Sequence, residues 1–151
     1  MTFSGGLTGF NNFKIDARSR LFIPSSFRKI IAPIGNEDIV VLFVPTIHLL
    51  IFNKEYWTTN IQKRIIDKSS IIGSQTVWRI IHRLSENSII STIDNQGRIV
   101  ISRDLLTKAK IQNSVLVFGA FDRISVWDPA KYYKWISSED IEYVYENIGL
   151  I

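Results

Sequence analysis

The sequence predicts an α+β protein, mainly β, built from two copies of one strand–turn–strand unit with short helices and a helical linker between them. Three observations carry this. A charged frame, "IDARSRLFI" at 15–23, returns as "IDNQGRIVI" at 93–101. Short segments around each copy alternate apolar and polar residues with period two and are rich in β-branched and aromatic side chains, as half-buried strands are. Between the copies lies a polar stretch with helical spacing, "KEYWTTNIQKRIIDKSS" and then "SQTVWRIIHRLSEN".

The repeat orders the elements. Asp16 and Asp94 are 78 positions apart, as are Arg20 and Arg98, Leu21 and Ile99, and Ile23 and Ile101. Downstream, "VVLFVPTIHLLIFNKEYW" (40–57) matches "VLVFGAFDRISVWDPAKY" (115–132) at a spacing of 75. Each half therefore reads as strand, charged turn, strand, short helix, two strands and a helix. "NFKID" and "RLFIP" straddle the first turn, "STID" and "RIVIS" the second. "SSFRKII" and "SRDLLTKA" each open on Ser, a residue whose hydroxyl caps helix N-termini. "DIVVLFV" with "HLLIF", and "SVLVFGAF" with "RISVW", form hairpins. Asn53 and Asp128 stand where they can cap the helices that follow, with Pro129 at the first helical position. The end, "AKYYKWISSEDIEYVYENIGLI", reads as helical with aromatic residues along it. The divisions are a first repeat at 7–57, a helical linker at 58–87, a second repeat at 88–135 and a C-terminal helix at 136–151.

The chain has 151 residues, 46% hydrophobic and 21% charged, which suits a folded protein. Half of it alone would bury little core, so the halves are expected to share core or an interface. The absence of cysteine excludes disulfides, cysteine zinc sites and thiol catalysis. "MTFSGGLTGF" lacks a basic start and a long apolar core, and "IVVLFVPTIHLLIF" is short for a membrane span, so a cytoplasmic protein with no membrane partner is expected. A net charge of +4 and a pI near 9.4 are compatible with nucleic acid without requiring it. No phosphate-cradling Gly loop, nucleophile motif or metal-ligand cluster occurs. The reading is therefore not an enzyme, with no cofactor and no small-molecule substrate.

The twin turns carry the chemistry. Asp at the start of a tight turn accepts N–H groups from the residues after it, so Asp16 and Asp94 are turn-shaping residues. Gly97 supplies a position where φ can be positive without steric cost. Arg at the far end has two uses: pairing with the Asp, or projecting a planar fork suited to phosphate oxygens and guanine edges.

The frame "IDARSRLFIPSSFR", then "IDNQGRIVIS" and "FDRISVWD", resembles the MraZ family of bacterial transcriptional regulators across nearly the whole chain. The resemblance implies a double AbrB-type fold of swapped-hairpin, β-barrel-type repeats. It implies a nucleoid-associated protein, a ring of several subunits that binds double-stranded promoter DNA at short direct repeats before the division and cell-wall genes. Carried onto this sequence, the DNA contacts fall on Arg18 and Arg20 in the first turn and Arg98 in the second, with Gln96 at the second turn's basic position. Lys14 stands beside the first turn and can reach a phosphate, or serve as a solvated blocker of a sheet edge. Ser19 stands where the family usually has Gly, so positive φ there carries a cost and that turn is the one whose DNA binding would weaken. Ser102 replaces the usual Pro.

Two rivals share the fold: a protein-interaction scaffold that has lost operator binding, and an antitoxin, although no disordered toxin-binding tail is visible. Arg28, Lys29 and Arg103 read as solvated helix charges. His48 and His82, isolated from other ligand types, read as hydrogen-bonded structural residues. Trp78, Trp127, Trp135 and the tyrosines from 132 to 145 read as core or subunit-interface aromatics.

Overall fold

The structure, a computed structural model, describes residues 5–149. In chain order, β1 (Phe10–Lys14), β2 (Arg20–Phe22), α1 (Ser25–Ile31), β3 (Asp38–Val44) and β4 (His48–Asn53) form the first half. A helical region follows: α2 (Lys54–Tyr56), a π-helical stretch over Trp57–Gln62, α3 (Lys63–Asp67), α4 (Ser69–Ile72) and α5 (Ser74–Glu86). The second half holds β5 (Ser88–Thr92), β6 (Arg98–Val100), α6 (Arg103–Lys108), β7 (Ser114–Gly119), β8 (Ile124–Trp127), α7 (Pro129–Ile136) and α8 (Ile141–Asn147).

The protein is α+β and mainly antiparallel sheet. Six strands run in the order β1-β7-β8-β4-β3-β5, and β2 pairs with β6 in a separate ribbon. The halves are interlocked at each pairing of their leading strands. β1 aligns Phe10–Lys14 with Phe118–Ser114 of the second half, while β5 aligns Ser88–Thr92 with Leu42–Asp38 of the first. In the ribbon, Arg20, Leu21 and Phe22 face Val100, Ile99 and Arg98.

Alternation along the strands sorts their side chains to two cores. Ile39, Val41, Leu49, Ile51, Val115, Val117, Ile124 and Val126 bury one sheet face together with Leu21 and Ile99 of the ribbon and Phe27, Leu105 and Leu106 of the short helices. On the opposite face, Val40, Leu42, Leu50 and Phe52 pack under Trp57, with Ile61 and Leu84 of the helical region against them. β3 and β4 are covered on both faces, which is why they read as continuous apolar runs rather than alternating ones. On the second half, Trp127, Tyr132 and Trp135 pack together, with Trp127 and Trp135 stacked at 4.8 Å.

Asn53 and Asp128 cap their helices as expected, accepting from Tyr56 N at 2.9 Å and Lys131 N at 3.2 Å. Ser102 accepts from Leu105 N at 3.3 Å, but Ser25 is the first residue inside its helix and the cap position falls to Pro24, which has no side-chain acceptor. The C-terminal segment holds two helices, α7 and α8. Ser137 and Ser138 return their hydroxyls to the carbonyls of Tyr133 (2.7 Å) and Trp135 (2.6 Å), ending α7, and Asp140 caps α8 through Tyr143 N at 3.0 Å. Serine hydroxyls that bond back to the chain compete with helix continuation.

His48 is buried, receives or donates one bond between Nδ1 and Thr46 Oγ1 at 2.8 Å, and stacks on Trp127 at 4.0 Å. Burial pushes its pKa down from 6.5 to about 4. The folded state therefore resists a proton that the unfolded chain accepts, so this contribution is complete above pH 6.5 and is lost as pH falls toward 4. Stability is expected to drop by about 1 kcal/mol between pH 6 and pH 5 from this group. Urea titrations at the two pH values check it, and His48→Phe should flatten the change.

Candidate nucleic-acid interface

Each charged turn is built by its Asp. Asp16 Oδ1 accepts the backbone N–H groups of Arg18 and Arg20, both at 2.9 Å, and Asp94 Oδ1 accepts those of Gln96 and Arg98, both at 2.9 Å. Backbone bonds close each turn, Ser19 N to Asp16 O at 3.0 Å and Gly97 N to Asp94 O at 3.0 Å. The ribbon then locks the turns together reciprocally: Ile23 N donates to Gly97 O (2.8 Å) and Ile101 N to Ser19 O (2.9 Å). The backbone N–H of Arg20 acting on Asp16, and that of Arg98 acting on Asp94, holds each carboxyl below the usual carboxylate range, with the guanidinium pairing adding to it.

Of the two uses the sequence left open for the arginines, the structure shows the pairing with Asp. Arg20 Nε meets Asp16 Oδ2 at 2.6 Å, and Arg98 Nε meets Asp94 Oδ2 at 3.2 Å. Among the described residues, neither arginine makes a hydrogen bond through its Nη groups, so the far edge of each fork is left for another acceptor. Strand alternation puts Arg20, Phe22, Arg98 and Val100 on the outward ribbon face, while Leu21 and Ile99 go inward. The two guanidinium-bearing residues start opposite strands, about 7 Å apart along the ribbon.

Ser19 takes φ +60° and Gly97 φ +79°. The first turn thus keeps the left-handed position that its Ser was expected to disturb, at a steric cost of about 1 kcal/mol. Arg18 is exposed on the first turn, and Lys14 is exposed at the end of β1, an edge strand of the six-stranded sheet. Neither forms an ion pair among the described residues.

Arg28 departs from the solvated role expected of it. It is half-buried, donates from Nε to Ile23 O at 2.9 Å, lies 5.5 Å from the Phe22 ring centroid, and packs its guanidinium against Gly97 of the other half. Nothing in the local sequence signals this, because the contact depends on strand exchange. Arg103 and Lys110 line a recess with Asp16 and Ser19 beside the first turn, a further placement that only the exchange creates. His82 bonds the Trp78 carbonyl at 2.8 Å. Trp127 is core, whereas Trp78, Trp135, Tyr133 and Tyr143 are exposed.

A family model described as "MraZ protein, putative antitoxin-like" matches residues 89–144, which include the second turn. A transcriptional regulator MraZ of Pelagibacter ubique is 31% identical over 127 residues, spanning 81% of this chain and 77% of that one. The chain belongs to the MraZ family. A second MraZ regulator, from Christiangramia forsetii, is 26% identical over 147 residues and spans 94% of this chain and 92% of its own. A third, from Nocardioides, is 26% identical over 122 residues, spanning 81% and 80%. The likeness to the Christiangramia regulator spans most of the chain, whereas the family model matches only residues 89–144. Among the described residues no helix is long and apolar enough to cross a membrane.

Proposed function

We propose that this MraZ-family chain is a sequence-specific DNA-binding transcriptional regulator that reads DNA through its two Asp-x-x-x-Arg turns. The observation that carries the reading is the shared arrangement of Arg20 and Arg98. Each is held at Nε by its Asp, makes no hydrogen bond through Nη among the described residues, and sits on one face of one ribbon. A fork oriented in advance suits bidentate contact with a guanine edge. Val100 opposite Arg20 and Phe22 opposite Arg98, both exposed, suit thymine methyl groups. Arg18 and Lys14 add phosphate contacts that position the ribbon without reading sequence.

The finer reading follows the family. The double AbrB-type, swapped-hairpin description is supported by the pairing of β1 with β7 and β5 with β3. The repeats span 7–57 and 88–135, with the linker at 58–87 and the C-terminal segment at 136–151. A ring of subunits would hold several ribbons at fixed spacing. Short direct repeats in the promoter of the division and cell-wall cluster would then be engaged together, raising affinity through effective concentration. The working location is the cytoplasm, at the nucleoid.

A scaffold role is the second reading, favoured by exposed Trp78, Trp135, Tyr133 and Tyr143. One experiment separates the two. Binding of the purified protein to DNA upstream of its own gene is compared with an unrelated duplex of equal length, at low and at physiological salt. Preference for the upstream DNA that survives physiological salt is the expected result. Equal, salt-fragile binding to both duplexes, or none, would refute operator recognition and leave the protein-interaction reading.

A further inference from the structure

We propose that Arg28 is a positioning residue for the second turn, acting from the opposite half of the chain, and that it makes Gly97 necessary where Ser19 is tolerated at the first. The consequence at DNA rests on the DNA-binding reading. The coupling itself is a property of the fold.

Three contacts place Arg28 behind Arg98. Its Nε donates to Ile23 O, and the N–H of the same Ile23 donates to Gly97 O at 2.8 Å, so one residue links Arg28 to the turn. Its guanidinium lies over Phe22, the residue that faces Arg98 across the ribbon. A Cβ added to Gly97 would stand 2.6 Å from Arg28 Cζ and 2.8 Å from Nε. A side chain there would force the guanidinium to move, and its bond to Ile23 O and its place over Phe22 would have to adjust with it.

The first turn lacks this clamp. At the repeat spacing of 78, Ser19 corresponds to Gly97 and Leu106 to Arg28. Leu106 is buried in the shared core and lines the same recess as Ser19, so the position equivalent to Arg28 carries an apolar side chain at that turn, and Ser19 keeps its Cβ at φ +60°. The chain thus carries two matched pairs, Arg28 with Gly97 and Leu106 with Ser19. Arg98 is presented by the clamped turn and should discriminate bases more strictly than Arg20.

The test begins without DNA. Urea unfolding is measured for the full chain with Gly97→Ser, Arg28→Leu, and both together, which rebuilds the first turn's pair at the second. The double variant should be more stable than additivity predicts, by about threefold or more in the unfolding constant. Additive costs would overturn the coupling. Arg28→Lys keeps the charge without the planar fork and should behave like Arg28→Leu. Full rescue by Lys would overturn positioning by shape. Should Gly97→Ser fail to fold, hydrogen exchange in Arg28→Leu decides. The Ile23 amide, bonded to Gly97, should exchange faster, while the Ile101 amide, bonded to Ser19, should not. Unchanged exchange at both overturns the proposal.

In the DNA arm, Arg28→Leu should reduce preference for the upstream duplex several-fold while leaving the salt slope unchanged. A slope lowered by about 1 would make Arg28 a phosphate contact instead and overturn the positioning role. If the unaltered protein shows no preference, the DNA reading fails and the unfolding cycle still decides the Arg28–Gly97 coupling.

Discussion

Leu21→Ala is expected to destabilise the protein by about 2–5 kcal/mol, the range for removing a fully buried leucine from a packed core. Leu21 is completely buried at the middle of the ribbon and faces Ile99, its counterpart in the second half. It packs in the same cluster as Ile23, Phe27, Ile101 and Leu105. The helices and strands around it come from both halves and are tied by two reciprocal backbone bonds, so collapse of the site around the missing atoms is limited. That places the cost toward the upper end. A single cooperative urea transition shifted to lower concentration would bear this out. Because the halves share this cluster, the variant should lose both halves' structure in one step. Two separated transitions would mean that the interlocked sheet does not couple them. Phe22→Ala, one residue along and outward-facing, should cost far less in stability.

The contrast between neighbouring positions explains how much was legible beforehand. The doubled turn could be read because both copies lie in one chain, and Asp16 and Asp94 recur with their arginines in frame. Helix caps at Asn53, Ser102 and Asp128 are local chemistry and also read correctly. Alternation fixes the face of a strand, so within the ribbon Leu21 and Ile99 go inward where Arg20 and Arg98 do not. It does not fix the partner. That β1 pairs with β7, and β5 with β3, follows from burying both sheet faces at once, which no local window contains. The role of Arg28 was hidden for the same reason, since its neighbours Gly97 and Phe22 are assembled by that exchange. The C-terminal segment was legible as helical, and its break between α7 and α8 follows from local chemistry, the serine hydroxyls ending one helix and Asp140 capping the next.

Arg98→Ala should reduce affinity for the operator by about 1–3 kcal/mol, the worth of one good bidentate arginine–guanine pair, while hardly changing binding to unrelated DNA at low salt. Arg20→Ala should act in the same direction. Lys14→Ala should instead weaken all duplexes alike, because a phosphate contact carries no base information. The decisive companion is Asp94→Ala. It raises net positive charge, so a protein that merely attracts polyanions would bind every duplex more tightly. The geometry predicts the opposite for the operator. Asp94 Oδ1 gathers two backbone N–H groups and Oδ2 fixes Arg98 Nε, so its loss leaves turn and fork unoriented. Operator affinity should fall while non-specific binding rises or holds. The same logic sets the pH dependence. Both carboxyls titrate below their usual value of 3.8, so the oriented forks persist above it and are lost only as pH falls through the lowered values. Preference measured at pH 5 should therefore match that at pH 7 as far as these turns are concerned. If Asp94→Ala tightened operator and unrelated DNA equally, recognition would reside in charge and not in the fork that the turn holds.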